Sequence, residues 1–292
     1  MKILVLGGSG LLGRELVSSL APSNEVTYTY FNNPGQVPGA KGYALDLADL
    51  AATERLMDGI APEVVLHTVA PPSVDWHERE HAAAYATNVL GTRAIAEKAK
   101  KMGAKLVYIS TTFVFPDAGR TFTEEDIPAP INFYGVTKWG AELAAAINPN
   151  HAIIRTDQIY GWSLPGQKKS FVVSTLEKLE KGQKAEVCSD WLNSPTYVKD
   201  LSLAVKGIME KDKRGIYHVV GNSFLDRVSW ARKIAAAFGK DPSLVVGIES
   251  SGLKLPARRP NARVSNEKAK EELGLRLRTV DEGLEDMLGS RP

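Results

Sequence analysis

Cysteine is almost missing from this chain: Cys188 stands alone among 292 residues. No intrachain disulfide can form, so a reducing compartment is the natural setting. Long basic runs are also missing. The 36 basic and 34 acidic side chains are well mixed and leave a formal charge of +2, which offers no footprint for nucleic acid or an anionic membrane surface. No apolar stretch approaches the ~20 residues that span a bilayer. The start, "MKILVLGGSGLLGREL", has the apolar run of a secretion signal. Glycines interrupt it early, Arg14 and Glu15 end it, and no small-x-small cleavage site follows. These absences lead to the expectation of a soluble, cytoplasmic protein with neither nucleic acid nor membrane as partner. No repeat or low-complexity segment occurs, and 43% hydrophobic content suffices for one large core or two smaller ones.

What is present is an alternation of short apolar runs with helical patterns. Strands are predicted at 2–7, 25–31, 42–47, 63–69, 105–110 and 151–156, with helices at about 11–20, 48–60, 81–103 and 135–147. Such alternation implies crossover units and a parallel sheet with helices on both faces. Beyond residue 156 the pattern loosens. Residues 162–170 read as a loop, 171–182 as a helix, 215–221 as one more strand, and 227–239 and 265–274 as helical. The expected fold is α/β, a Rossmann-type doubly wound parallel sheet with a smaller α/β C-terminal domain. Residues 1–156 and 192–222 would form the dinucleotide-binding domain, and 157–191 and 223–292 the substrate-binding domain.

"GGSGLLG" spaces Gly7, Gly10 and Gly13 as G-x-x-G-x-x-G, after the first predicted strand and at the start of a helix. Glycines there permit a tight turn, close approach of backbone N–H groups to a pyrophosphate, and close helix–strand packing. The helix N-terminus adds partial positive charge. This form of the motif resembles the extended short-chain dehydrogenase/reductase superfamily. The second strand ends in Tyr30, Phe31, Asn32 and Asn33, with no carboxylate to bind an adenosine 2′-hydroxyl and repel a 2′-phosphate. NADP(H) is therefore favoured, with NAD(H) still open. No Arg or Lys sits in that turn to hold the phosphate.

"FYGVTKWG" places Tyr134 and Lys138 four apart in a helical stretch, so both side chains share one face. An unperturbed tyrosine has a pKa near ~10, and a nearby ammonium stabilises the phenolate. In the superfamily such a pair transfers the proton, with a Ser or Thr from the preceding strand end. "STTFVFP" resembles its Ser-Thr-x-x-Val pattern and puts that hydroxyl at Thr111, with Ser110 and Thr112 as neighbours able to substitute.

Further matches run over nearly the whole chain. Asn88 in "TNVLGT" matches an asparagine of the family, "IIRTDQIYG" the strand leading to the substrate domain, and "SPTYVKDLSLAV" a segment beside the substrate. "RRPNARVSNEKAKEELG" closely resembles the C-terminal block of the dTDP-4-dehydrorhamnose reductases. That resemblance implies hydride transfer to the C4 carbonyl of a nucleotide-linked 4-keto-6-deoxy sugar, with Tyr134 protonating the oxygen, Lys138 tuning Tyr134 and Thr111 orienting the carbonyl. It also implies a cofactor held by Gly7, Ser9, Gly10, Leu11, Leu12, Gly13, Tyr30, Asn32, Asp46, Leu47, Val69, Ala70, Pro71 and Asn88, together with Tyr134 and Lys138. Asp46 could equally cap a strand end. Thr112, Phe113, Gln158, Tyr197 and Arg259 would meet the substrate. Arg258, Arg259 and Arg263 could contact a diphosphate or form a solvated tail. Reduction or epimerisation of another sugar nucleotide is the neighbouring alternative, and a homodimer is compatible with all of these.

Three stretches depart from the reductase pattern: Phe113 in "STTFV", Asp157-Gln158 in "RTDQIY", and "HTVAPPSVDWHE" after the fourth strand. All fall on the substrate side. The chain also resembles the non-catalytic regulatory β subunit of methionine adenosyltransferase, through "EEDIPAP" and "YGVTK", which implies a binding role as an alternative to catalysis. Finally, "HEREH" (77–81) spells the H-E-x-x-H of zinc proteases. It follows a parallel strand and a Pro-Pro-Ser turn, and no third ligand comes at a metzincin spacing, so exposed charge at a helix start is the expected reading and no metal is expected.

Overall fold

The computed structural model describes residues 1–71 and 73–291. Its centre is a seven-stranded sheet of β1 (Lys2–Leu6), β2 (Glu25–Tyr30), β3 (Lys41–Ala44), β4 (Val64–His67), β5 (Lys105–Thr111), β6 (His151–Thr156) and β7 (Gly215–His218). The order is β7-β6-β5-β4-β1-β2-β3, and every pairing is parallel. This is the doubly wound arrangement expected from the strand–helix alternation.

The central strands β1, β4, β5 and β6 are buried along nearly their whole length because both faces are covered. Successive side chains alternate between two cores. Ile3, Val5, Leu66, Val107 and Ile154 pack with Leu12, Leu16 and Val17 of the Leu11–Leu20 helix and with Leu201, Val205 and Ile208 of Val198–Glu210. Leu4, Leu6, Val65, Leu106 and Ile153 face the other way, onto Met57, Ile95, Ala99, Ala141 and Ala145. The chain leaves β1 for one side of the sheet and returns as β4 on the other, so β1 and β4 are neighbours at a switch point. A crevice opens there beyond the carboxyl ends of the strands.

A smaller layer stands over that crevice. Ala185–Cys188 pairs in parallel with Val245–Ile248, and the helices Phe171–Glu180 and Arg227–Ala237 bury Leu179, Val187, Ala231, Ala235 and Val245 between them. The C-terminal helices Glu267–Leu273 and Val280–Gly289 return to the first core through Ala269, Leu273, Leu284 and Met287.

Several expected elements differ in extent, the strand expected at 215–221 ending at His218 and that at 63–69 ending at His67. The single helix at 81–103 is divided into His81–Tyr85, a π-helical turn at Ala86–Leu90, and Gly91–Met102. The third strand stops at Ala44, because Asp46 turns the chain by accepting the Ala48 N–H at 2.9 Å. Among the described residues no helix is long and apolar enough to cross a membrane.

Candidate active site

The glycine turn follows from close packing. Gly7 has φ +82° and closes the turn after β1, with the Gly10 N–H donating to the Gly7 carbonyl at 3.0 Å. A Cβ on Gly13 would lie 2.1 Å from the Gly7 oxygen and 2.7 Å from Gly8 Cα, both backbone atoms, so only glycine fits. Gly10 begins the Leu11–Leu20 helix without a side-chain cap, which leaves the first N–H groups of the helix for an anion. Gly10, Leu11, Leu12 and Gly13 line one end of a cleft of about 490 Å³. An uncapped helix terminus, a turn too tight for any Cβ at Gly13 and an adjoining cleft fit a dinucleotide pyrophosphate.

Thr111, Tyr134 and Lys138 line the same cleft. Thr111 ends β5, where its hydroxyl accepts the Phe113 N–H at 3.2 Å. Tyr134 and Lys138 lie one turn apart on the Phe133–Ala145 helix, whose cap is Asn132, its Oδ1 accepting the Gly135 N–H at 2.7 Å. Removal from solvent pushes the Tyr134 phenol up to about 12, with the Thr111 hydroxyl acting against this and the Asp157 charge adding to it. Lys138 is fully buried. Its Nζ donates to the Ile109 carbonyl at 2.6 Å and lies 4.2 Å from the Tyr108 ring centre. Burial brings the ammonium down to about 7 against the opposing field of Glu142. Lys138 was expected to lower the Tyr134 pKa. In the structure the phenol is raised, and the lysine Nζ is bonded to a main-chain carbonyl.

The other expected cofactor residues fall into two groups. Ala70 and Pro71 line the cleft. Ser9 accepts the Gln167 side chain on its carbonyl at 2.7 Å, and Tyr30 packs against the first core, with Asn32 exposed just beyond it. Leu47 and Val69 belong to the second core. Asp46 is exposed and serves as the turn cap described above. Asn88 is buried and acts as a brace: its Nδ2 donates to Thr137 Oγ1 at 2.9 Å and approaches His77 Nε2 at 3.1 Å.

Of the expected substrate residues, Phe113 and Gln158 line the cleft. Phe113 presents its ring edge-on to Tyr134 at 5.9 Å, and Gln158 has φ +34°. Thr112 is buried next to them. Tyr197 is not in the cleft: its hydroxyl donates to Asp286 at 2.6 Å, under the C-terminal helix. Arg259 is already held, its two Nη atoms donating to the two oxygens of Asp75 at 2.8 and 2.6 Å. Arg258 is exposed, 3.7 Å from Asp117, and Arg263 lies over the Phe224 ring.

The two histidines of "HEREH" do not share a helix turn. The Val74–Arg79 helix ends at Glu80 (φ −114°, ψ 57°), and a new one starts at His81. His77 is buried with Nδ1 2.6 Å from the Ser73 carbonyl and its ring packed edge-on to Tyr134 at 4.9 Å, while His81 stacks on Phe133 at 3.9 Å.

Asp157 is a cleft residue that the motifs did not single out, although its place in "RTDQIY" marks a departure from the reductase pattern. It is 5% exposed, and Oδ2 accepts the Ser194 N–H at 2.8 Å. Burial raises its carboxyl to about 6, against hydrogen bonds that favour the ion. A carboxyl with a raised folded-state pKa contributes stability that is complete below its unfolded value and lost as pH rises through the folded one. Relative to Asp157→Asn, wild type should therefore lose on the order of 2 kcal/mol between about pH 4 and pH 7. Paired urea melts measure this, and parallel stability curves would show that the carboxyl titrates alike in both states.

A glycine turn at the switch point, sharing its cleft with a Tyr–Lys pair and a strand-end threonine, defines an NAD(P)-dependent oxidoreductase of the extended short-chain dehydrogenase/reductase type. The chain belongs to the RmlD substrate binding domain family, whose model matches residues 1–291. It is 30% identical to a dTDP-4-dehydrorhamnose reductase of Sinorhizobium fredii, over 97% of this chain and 95% of that protein. It is 32% identical to methionine adenosyltransferase 2 subunit beta of Mus musculus, over 95% of this chain and 84% of that one. Among solved structures, dTDP-4-dehydrorhamnose reductase from Bacillus anthracis in complex with NADP superimposes with a TM-score of 0.86 at 26% identity, covering 99% of each chain.

Proposed function

We propose that the protein reduces the C4 carbonyl of a nucleotide-linked 4-keto-6-deoxy sugar, with NADPH as the favoured donor. The observation that carries this reading is the convergence of Thr111, Tyr134 and Lys138 with the glycine turn in one cleft. A bound nicotinamide supplies the hydride. Tyr134 supplies the proton: a phenol raised to about 12 is fully protonated at neutral pH and serves as an acid, the form that carbonyl reduction needs. Thr111 orients the carbonyl oxygen beside that phenol. Lys138 keeps the strand end and the helix together through the Ile109 carbonyl and brings a titratable ammonium to the cleft. Gln158 and Phe113 shape the sugar side. NADP is favoured because the turn after β2 carries no carboxylate against a 2′-phosphate, and the Bacillus anthracis neighbour binds NADP.

The test is NADPH consumption with dTDP-4-keto-6-deoxy-L-mannose generated in situ. Steady turnover supports the reading; a protein that binds NADPH and leaves this sugar untouched refutes the substrate. The identity with subunit beta of methionine adenosyltransferase favours a second reading, in which the protein is a dinucleotide-binding partner of that enzyme. Co-elution with a methionine adenosyltransferase catalytic chain, in the absence of reductase activity, distinguishes it.

A further inference from the structure

Three segments far apart in sequence meet at the first turn of the Tyr134 helix. The first is the Asn132 cap, which donates its Nδ2 to the Arg258 carbonyl at 2.8 Å. The second is the loop carrying Arg259, whose guanidinium holds both oxygens of Asp75 and whose Ala257 N–H donates to Asp75 at 3.3 Å. The third is the Val74–Arg79 helix, in which Asp75 occupies the first turn. The far end of that helix closes on the tyrosine: Glu78 accepts the Phe133 N–H at 2.9 Å, and the His77 ring meets the Tyr134 ring. His77 is itself fixed between Ser73 and Asn88. A continuous set of bonded groups thus runs from Arg259 to the proposed proton donor.

The Arg259–Asp75 side chains are 13% and 19% exposed, so water screens the pair only in part. The two-point geometry is one that a guanidinium makes and an ammonium does not. A substrate diphosphate would have to displace Asp75 to take the same fork.

We propose that Arg259 is a positioning residue, which through Asp75 and the Val74–Arg79 helix fixes the place of the Tyr134 hydroxyl instead of binding substrate. The kinetic part of this proposal rests on the reductase reading; the positional part does not. Displacement of a reacting group by about 1 Å lowers rates by as much as 10²-fold, so a loosened first turn should be visible in turnover.

The experiment places 3-fluorotyrosine at position 134 and compares wild type with Asp75→Asn, Arg259→Gln and the double variant. The expected result is that each single substitution moves the ¹⁹F resonance of residue 134 and lowers kcat about tenfold, with KM within about twofold. The double variant should then be no worse than either single, as for two members of one unit. If Asp75→Asn does not fold, Arg259→Lys, which keeps the charge and loses the fork, carries the same test. A raised KM in Arg259→Gln with kcat and the resonance unchanged would overturn the proposal in favour of direct substrate binding. An unmoved resonance in both single variants, or additive effects in the double, also overturns it. Lack of turnover in wild type counts against the reductase reading alone, since the resonance still decides the positional one.

Discussion

Tyr134→Phe should lower kcat/KM for the keto sugar by roughly 10²–10⁴-fold while leaving NADPH affinity near that of wild type. The substitution removes one oxygen and little else. The ring keeps its edge contacts to His77 at 4.9 Å and Phe113 at 5.9 Å. The start of the helix stays capped by Asn132 and Glu78. Thr111 is not orphaned, because its hydroxyl still accepts the Phe113 N–H. The glycine turn sits on β1 and the Leu11–Leu20 helix, and its geometry does not depend on the phenol. Steady-state kinetics beside a fluorescence titration with NADPH separates the two quantities. Loss of turnover with retained binding assigns proton donation to Tyr134. Undiminished turnover would move that role to another hydroxyl, with Thr111, which lines the same cleft beside Tyr134, the first candidate.

The inner sheet strands were legible in the sequence because each is a short apolar run that parallel pairing buries on both faces, whereas the edge strand β3, a Lys-Gly-Tyr-Ala run with no buried residue, was placed only approximately. The glycine turn was legible because its spacing is dictated by backbone contact: no side chain fits at Gly13. Residues whose part depends on a distant partner were not. Arg259 reads as a free cation until Asp75, remote in sequence, is seen to hold its fork. Tyr197 reads as a substrate contact until its hydroxyl is found on Asp286, in the last helix. "HEREH" has the letters of a metal site, but a zinc-binding pair needs both histidines on one helix face. The break at Glu80 is a backbone event that the letters do not show. Asp157 is the opposite case. The departure was visible in the sequence, whereas its burial beside Tyr134 required the fold.

Removing the guanidinium of Arg155 should cost about 3–5 kcal/mol, although Arg155 lies outside the cleft. Arg155 on β6 and Glu142 on the Tyr134 helix are 2% and 4% exposed. Nε donates to Glu142 Oε1 at 3.0 Å and Nη2 to Oε2 at 2.8 Å, and the Ser110 hydroxyl adds a third donor at 2.5 Å. In Arg155→Met the carboxylate keeps Ser110 and loses both guanidinium bonds, leaving a charge in the interior with little to balance it. Arg155→Met combined with Glu142→Leu removes both charges, so it should recover most of the loss even though two polar groups are gone. Urea unfolding of the singles and the double closes the cycle. A loss under about 1 kcal/mol in Arg155→Met would mean that water reaches the pair. The cycle also has a functional arm. Lys138 lies one turn before Glu142 and is held near 7 by burial, with the Glu142 charge working to keep its proton. An unbalanced Glu142 strengthens that field, so the pH at which activity responds to Lys138 should move upward in Arg155→Met. Removal of Glu142 should move it down. Opposite shifts from two substitutions that both destabilise the protein cannot come from loss of stability alone; they would show that the Glu142–Arg155 pair modulates the charge on Lys138, which burial sets in the first place.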